Sequence, residues 1–314
     1  MEKDKSNYKV INKKNKQELK ISVHIPFYLA KNNKNKLKLL YKVCNSYLKL
    51  SKKTKIFVHS NNKITNKNKK IKFIFHSLKN FHPFRLTWKP RDLMKKQIKD
   101  FDIFIFGEDD ILFSKKNFNY WLKYKDICIK NDFNLGFLRA EKKGKYLYSV
   151  DQIKKLSYIK KIYNKKYIVL ENPYCAMWIY DKNEFSKFIK TPYYNFNWKI
   201  KEFGSHNFDR EMAAVGWHGR DISKGFDMGR YIATIIPLEK NKLDTNSFIN
   251  HLSNKYSKNP SGLFGSIKIK DLLNKNLYTF IKPNIFEFWF NKIRYNLYSA
   301  VRINLKDFKK RLNA

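Results

Sequence analysis

Residues 101–113 read Phe-Asp-Ile-Phe-Ile-Phe-Gly-Glu-Asp-Asp-Ile-Leu-Phe. The apolar run suits a strand buried on both faces, and it passes directly into three adjacent carboxylates with hydrophobics beyond them. Like charges packed this closely repel and raise each other's pKa unless a cation sits among them. The 314-residue chain has only 26 Asp and Glu, so Glu108, Asp109 and Asp110 in a row stand out from the composition. The carboxyl end of a strand in an α/β sheet is where ligand sites are expected. A hard divalent ion with oxygen ligands and a substrate diphosphate would satisfy the cluster. The plainer alternative is a solvated acidic turn.

The flanking sequence predicts that sheet. Leu19 to Tyr28 (LKISVHIPFY), residues 55–58 and 71–75 read as strands. Helical spacing over 37–50, 92–99 and 117–130 places helices between and after them. Further strands are expected at 135–138, 146–150, 167–170, 174–180 and 231–237, with helices at 182–189 and 207–215, the latter ended by Gly216. Strands alternating with helices argue an α/β fold with a largely parallel sheet. The expected organisation is a frayed segment 1–18, a catalytic domain 19–260 and a basic helical extension 261–314.

Charge narrows the function less than it first suggests. The chain carries 67 Lys+Arg and a formal net charge of +41. Of these, 58 are Lys and nine are Arg, alongside 34 Asn, the composition an AT-rich coding sequence drifts toward. Nucleic-acid sites lean on the planar fork of Arg, so this balance argues against a nucleic-acid partner. It still draws the protein toward anionic lipid, at ~1 kcal/mol per basic residue near the surface. No run of 18 apolar residues and no apolar leader appear in the sequence, and the three cysteines (Cys44, Cys128, Cys175) have no metal-like spacing. The expectation is a reduced cytoplasmic protein, peripheral on the inner face of the membrane.

Glu108-Asp109-Asp110 resembles the Glu-Asp-Asp variant of the metal-binding Asp-X-Asp motif. Residues 21–28, ISVHIPFY, resemble the first strand of the same family, whose following loop contacts a nucleotide base. With the order of strand, base loop, second strand, helix and acidic triplet, the chain resembles a GT-A-type glycosyltransferase over residues 20–252. The resemblance implies a Rossmann-like mixed sheet flanked by helices. It implies a nucleotide-diphosphosugar donor, a glycan or lipid-linked glycan acceptor, and Mn²⁺ or Mg²⁺ as cofactor.

Carried over by position, Asp110 would ligate the metal bridging the two phosphates, while Glu108 and Asp109 would hold ribose or sugar. Pro26, Tyr28 and Ser60 fall where the family holds the nucleotide. At the second strand, however, many relatives have a base-reading Asp where this chain has His59-Ser60-Asn61. Arg85 or Arg91 would face the diphosphate with charge-assisted hydrogen bonds, Trp178 would stack on the acceptor sugar, and His251 would complete the metal or phosphate site, with His218 a second candidate. Asp209 and Glu211 are the candidate general bases. Two residues apart on a helix they point about 200° apart, so only one can face the site. Glu211, followed by Met-Ala-Ala, is favoured.

From Asn284 onward the chain is basic and amphipathic. Phe286, Phe290 and Ile293 fall at helical spacing, which suits a membrane interface or packing on the catalytic domain. Two other functions fit parts of the pattern. A nucleotidyltransferase needs the same acids but would want glycines after the first strand, and a basic nucleic-acid-binding protein would leave the triplet unexplained.

Overall fold

The computed structural model describes residues 18–30, 34–79, 82–191, 194, 209–217, 233–258 and 264–281, together with Phe286, Phe290 and Ile293. The protein is a mixed α/β structure in which helices flank three sheets. The first sheet has the order β11-β4-β1-β2-β3. Its strands are β1 (Ile21–Phe27), β2 (Thr54–Ser60), β3 (Ile71–Phe75), β4 (Ile103–Gly107) and β11 (Met177–Asp181). β4, β1, β2 and β3 are parallel, and β11 closes the β4 edge antiparallel. Helix α1 (Lys34–Leu48) connects β1 to β2, while a 3-10 turn (Pro83–Trp88) and α2 (Pro90–Lys96) connect β3 to β4. Parallel neighbours require such crossovers.

Burial on both faces explains the uninterrupted apolar sequence of β4 and the mostly apolar sequence of β1, where only Ser22 and His24 are polar; every residue of both strands is buried. Alternation sends Ile103 and Ile105 into the core that contains α1, and Phe104 and Phe106 into an aromatic core with Met94, Phe185 and Phe188. β4 ends at Gly107 for a steric reason. A Cβ there would lie 2.5 Å from the Tyr47 hydroxyl, so only glycine lets α1 pack this close to the strand end.

The second half combines hairpins with long-range pairings. After β5 (Ile111–Leu112) and α3 (Lys115–Lys130) come β6 (Phe133–Leu135), β7 (Leu138–Lys143), β8 (Tyr146–Ser149), β9 (Leu156–Ile162) and β10 (Lys165–Val169). Helices α4 (Lys182–Phe188) and α5 (Asp209–Val215) follow β11. Then come β12 (Ala233–Glu239), β13 (Lys242–Leu243), β14 (Phe248–His251), α6 (Lys255–Lys258), β15 (Ile267–Lys268) and β16 (Leu273–Thr279). One sheet has the order β13-β12-β10-β9-β16, with β6 added on β12. The other has the order β15-β8-β7-β14-β5.

Three sequence expectations change. The strand expected at 135–138 divides into β6 and β7 around Gly136, whose amide donates to the Ile235 carbonyl. The strand expected at 174–180 starts only at Met177, because Ala176 turns into the left-handed region at φ 60°. Residues 267–279, read as part of a helical extension, instead pair β15 with β8 and β16 with β9, so the sheets reach past residue 260. The frayed segment and most of the basic C-terminal stretch lie outside the described residues. Phe286, Phe290 and Ile293 are helical and exposed.

Candidate active site

The three carboxylates sit where β4 ends, and each meets a different cation. Lys36 of α1 lies 3.0 Å from Asp109 Oδ2 and also donates to the Tyr28 carbonyl, tying the loop after β1 to the acids. Arg210 of α5 lies 3.9 Å from Glu108 Oε1. That oxygen also accepts from the Tyr174 hydroxyl at 2.8 Å, and the Glu108 amide donates to the strained Ala176 carbonyl at 3.1 Å. Asp110 meets His251, whose Nε2 lies 3.0 Å from Oδ2.

The His251 contact exists because of the sheet. β5, which starts immediately after Asp110, pairs antiparallel with β14 in a register that sets Ile111 against His251. The Leu252 amide then donates to the Asp110 carbonyl at 2.8 Å. β14 in turn lies parallel to β7, which delivers Glu141. The His251 ring is thus held between two carboxylates, with Nδ1 2.5 Å from Glu141 Oε1. Glu141 also accepts from the Ser257 amide, and the Ser253 hydroxyl lies 3.0 Å from His251 Nε2.

Beneath the acids lies a buried ion pair. Arg139 of β7 donates from Nε and Nη2 to the two oxygens of Asp151, at 2.9 and 2.6 Å. Its guanidinium is sandwiched between the rings of Tyr174 and Tyr256. Fork-to-fork geometry fixes the orientation of this charge and compensates its desolvation.

The electrostatics separate the three acids. Burial raises Glu108, with Arg210 pulling against it and Asp110 adding to it. Asp109 is pushed up to about 6 by burial, against Lys36. Burial also opposes the charge on Asp110, but His251, Arg139 and Lys255 outweigh it and hold that carboxyl at about 2. His251 is raised, because its hydrogen bonds to Asp110 and Glu141 overcome its burial. Asp110 is therefore the acid held most firmly anionic, and its counter-charge is the His251 ring set between two carboxylates.

A hard divalent cation fits this donor set in part. Among the described residues no group of three His, Cys, Asp or Glu side chains is placed to hold a metal alone. Asp110 and His251 offer a carboxylate oxygen and an imidazole nitrogen. Mg²⁺-type sites with one or two protein ligands take the rest from substrate phosphates and water. The carboxylate on the far side of His251 matches the usual arrangement behind a metal-binding imidazole.

Other expected residues land variously. Glu211 lies beside the cluster: its Oε1 accepts from Arg210 Nη2 at 2.9 Å, while its Oε2 is buried with no hydrogen-bond partner among the described residues. Asp209 opens α5, but its side chain lies outside the described residues, as does His218. Tyr28 is exposed, and Pro26 is buried within β1. Ser60 is buried at the end of β2, where its hydroxyl accepts from the Asn62 amide. Arg85 lies half-buried in the 3-10 turn.

Two expectations are corrected. Arg91 does not face the rim. It is buried on the Trp88 ring and donates to the carbonyls of Tyr194 and Ala213, where it clamps α5 and residue 194 to α2. Trp178 is not exposed to an acceptor. It stacks between Phe106 and Tyr180 in the aromatic core, and its Nε1 donates to the Ala213 carbonyl. Lys36, Glu141, Asp151, Tyr174 and Arg210 were not singled out as site residues. The one sequence signal that touches them is the scarcity of Arg in a Lys-rich chain, which sets Arg210 apart.

The described molecule is thus an α/β protein with a cation-balanced acidic rim at the carboxyl edge of a parallel sheet. No helix among its described residues is long and apolar enough to cross a membrane. No protein-family model matches the chain, and no curated protein matches it. Among solved structures it is similar to S. aureus TarS. A structure of TarS residues 1–349 aligns with a TM-score of 0.36 and 14% identity, over 76% of this chain and 63% of that one. A second TarS structure aligns at 0.37 and 13%, over 74% and 36%. The chain therefore spans less than two thirds of the TarS chains it resembles. Likeness at this level decides neither fold nor activity, so the functional reading rests on the rim.

Proposed function

We propose that the protein is a GT-A-type, metal-dependent glycosyltransferase that moves a sugar from a nucleotide-diphosphosugar to a hydroxyl of a glycan or lipid-linked glycan. The observation that carries this reading is the meeting of Asp110 with His251, 141 residues apart in sequence, beside two further carboxylates at the end of β4. Asp110 and His251 would hold Mn²⁺ or Mg²⁺, which when bound neutralises charge developing on the leaving diphosphate.

The chain's own residues would supply the rest. Lys36 and Arg210 keep Asp109 and Glu108 charge-balanced at the rim, where those acids can accept hydrogen bonds from ribose or sugar hydroxyls. Arg85, on the turn that packs beside α5, would donate to a phosphate oxygen. Glu211 has one carboxylate oxygen held by Arg210 and the other uncommitted, which suits it to take the acceptor's proton if the reaction inverts. Asp209, at the start of the same helix, is the alternative base. The exposed Phe286, Phe290 and Ile293, within a basic C-terminal sequence, would bring the enzyme to an anionic membrane surface and a lipid-linked acceptor.

The test is nucleoside-diphosphate release from a panel of nucleotide-sugars, with Mn²⁺ and with EDTA, using wild type, Asp110→Asn and Glu211→Gln. Release from one donor, lost with EDTA and in Asp110→Asn, supports the proposal. Release indifferent to both overturns the metal assignment, and no release from any donor counts against the transferase.

A further inference from the structure

A second polar assembly crosses the same sheet, and nothing in the proposed reaction uses it. His24 of β1, His59 of β2 and His76, the residue after β3, form a stacked, hydrogen-bonded column. His24 Nδ1 lies 3.0 Å from His59 Nε2, and His59 Nδ1 lies 2.8 Å from His76 Nε2. The inner end is closed by Gln97, whose Oε1 lies 3.0 Å from His24 Nε2 and accepts from the Ser22 hydroxyl at 2.8 Å. His24 and His59 are fully buried, while His76 is half-buried at the sheet's carboxyl edge.

The chemistry of neutral imidazole gives the column a direction. A neutral ring has one N–H and one bare nitrogen. Ser22 Oγ, whose hydroxyl donates to Gln97, and Gln97 Oε1 lie 2.9 and 3.0 Å from His24 Nε2; with the amide in this orientation both oxygens accept there, so His24 carries its proton on Nε2 and leaves Nδ1 bare. His59 then donates to it from Nε2 and is bare at Nδ1, and His76 donates in the same sense. The outermost nitrogen, His76 Nδ1, is left as a hydrogen-bond acceptor with no partner among the described residues. Burial keeps all three rings neutral, and the charge of Lys89 further disfavours a proton on His76.

That acceptor lies on the rim that holds the acids. The His76 amide donates to the Ser60 carbonyl at the end of β2. The side chains of Asn61 and Asn62, just after β2, donate to the Leu29 carbonyl beyond β1. From there the adjoining Tyr28 carbonyl and Lys36 lead to Asp109. His76 follows β3, three strands from β4, so at usual sheet spacing it stands about 14 Å from the acids. A nucleoside diphosphate laid along the edge, phosphates at Asp110, extends its base toward β2 and β3.

We infer that His76, polarised through His59, His24 and Gln97, is the base-reading acceptor of this site and selects nucleotides whose pairing edge has a central imino N–H. This rests on the nucleotide-sugar reading above and supplies what that reading leaves open, the class of base. Uracil, thymine and guanine place N–H at the centre of that edge. Cytosine and adenine place a bare nitrogen there, which would face the imidazole lone pair and leave both acceptors unsatisfied.

The experiment is calorimetric binding of UDP, dTDP, GDP, CDP and ADP, each with Mg²⁺, to wild type and to His76→Phe, which keeps a ring but removes the acceptor. Wild type should bind at least one imino-bearing nucleotide ~10- to 100-fold more tightly than CDP and ADP. In His76→Phe that ratio should collapse toward one, with phosphate-driven binding retained. A comparison needing no variant is the N-methyl analogue of the preferred nucleotide, N3-methyl-UDP for UDP, which should bind wild type as weakly as CDP does. Equal binding of the methylated and parent nucleotides, or an unchanged ratio in folded His76→Phe, overturns the role of His76 and leaves the transferase standing. No binding of any nucleotide to wild type overturns both.

Discussion

The acidic rim and the imidazole column occupy one sheet, yet burial acts on them in opposite ways. At the end of β4, burial alone would neutralise the acids, and the fold answers with one cation per carboxylate: Lys36, Arg210 and His251. On β1 and β2, one and two strands from β4, burial acts on His24 and His59 with no carboxylate among their hydrogen-bond partners, and the rings stay neutral. Buried polar groups keep charge only where a counter-charge is delivered, and otherwise persist by satisfying each other as neutral dipoles. The rim is therefore suited to charged ligand groups such as diphosphate and metal, the column to an uncharged one such as a base.

The sharpest break of this comparison is to remove a counter-charge from beneath the rim. Arg139→Met leaves Asp151 buried and unpaired and should lower unfolding free energy by about 3–5 kcal/mol in a urea titration. A loss under 1 kcal/mol would show that Asp151 simply takes up a proton. Next in size is Asp110→Asn, which keeps shape and removes the most firmly anionic acid. It should cut nucleoside-diphosphate release by about 10²–10³-fold, with a lowered melting temperature but a transition that stays cooperative.

Acidification probes the column. His24 has its folded-state pKa depressed to about 3, below the ordinary value of 6.5. The unfolded chain therefore binds the proton first. Stability is fully present above about pH 6.5 and is lost as pH falls toward 3. Between pH 7 and 5 this one ring should cost about 2 kcal/mol. The raised acids of the rim work with the opposite sign, so the readout is the difference between wild type and His24→Gln at the two pH values. Parallel behaviour of the two proteins would mean that His24 is not held neutral by the fold. The smallest expected effect belongs to Glu141→Gln. It weakens the carboxylate behind His251 and should reduce Mn²⁺ affinity about 10-fold or more without abolishing folding.

How much of this could be read from sequence follows the range of the interactions. Strands β1 to β4 and the position of the acidic triplet at the end of β4 are legible, most plainly β4, where burial on both faces writes itself as consecutive apolar residues. Gly216 as the end of α5 is legible too, and the structure adds the reason: φ is +69°, and a Cβ would collide with Trp178 and Tyr180. The meeting of His251 with Asp110 depends on two-residue β5 pairing with β14, a contact no local pattern encodes. Glu141 reaches the site by the same kind of long-range pairing, β7 with β14, and Asp151 follows on the β7–β8 hairpin. Trp178 misleads because stacking on sugar and stacking in a core use the same residue type, and Arg91 because a guanidinium that could grip a phosphate can equally clamp buried backbone carbonyls. The column was invisible for a related reason: three histidines in separate segments look unremarkable until β1, β2 and β3 lie side by side.

The most direct test is of the rim itself, by titrating Mn²⁺ into the protein with a nucleoside diphosphate present and following free Mn²⁺ by electron paramagnetic resonance. Wild type should take up one Mn²⁺, while Asp110→Ala and His251→Ala, each checked for a native melting transition, should each lose most of that binding. Uptake that is the same in all three folded proteins would contradict a cation site shared by Asp110 and His251.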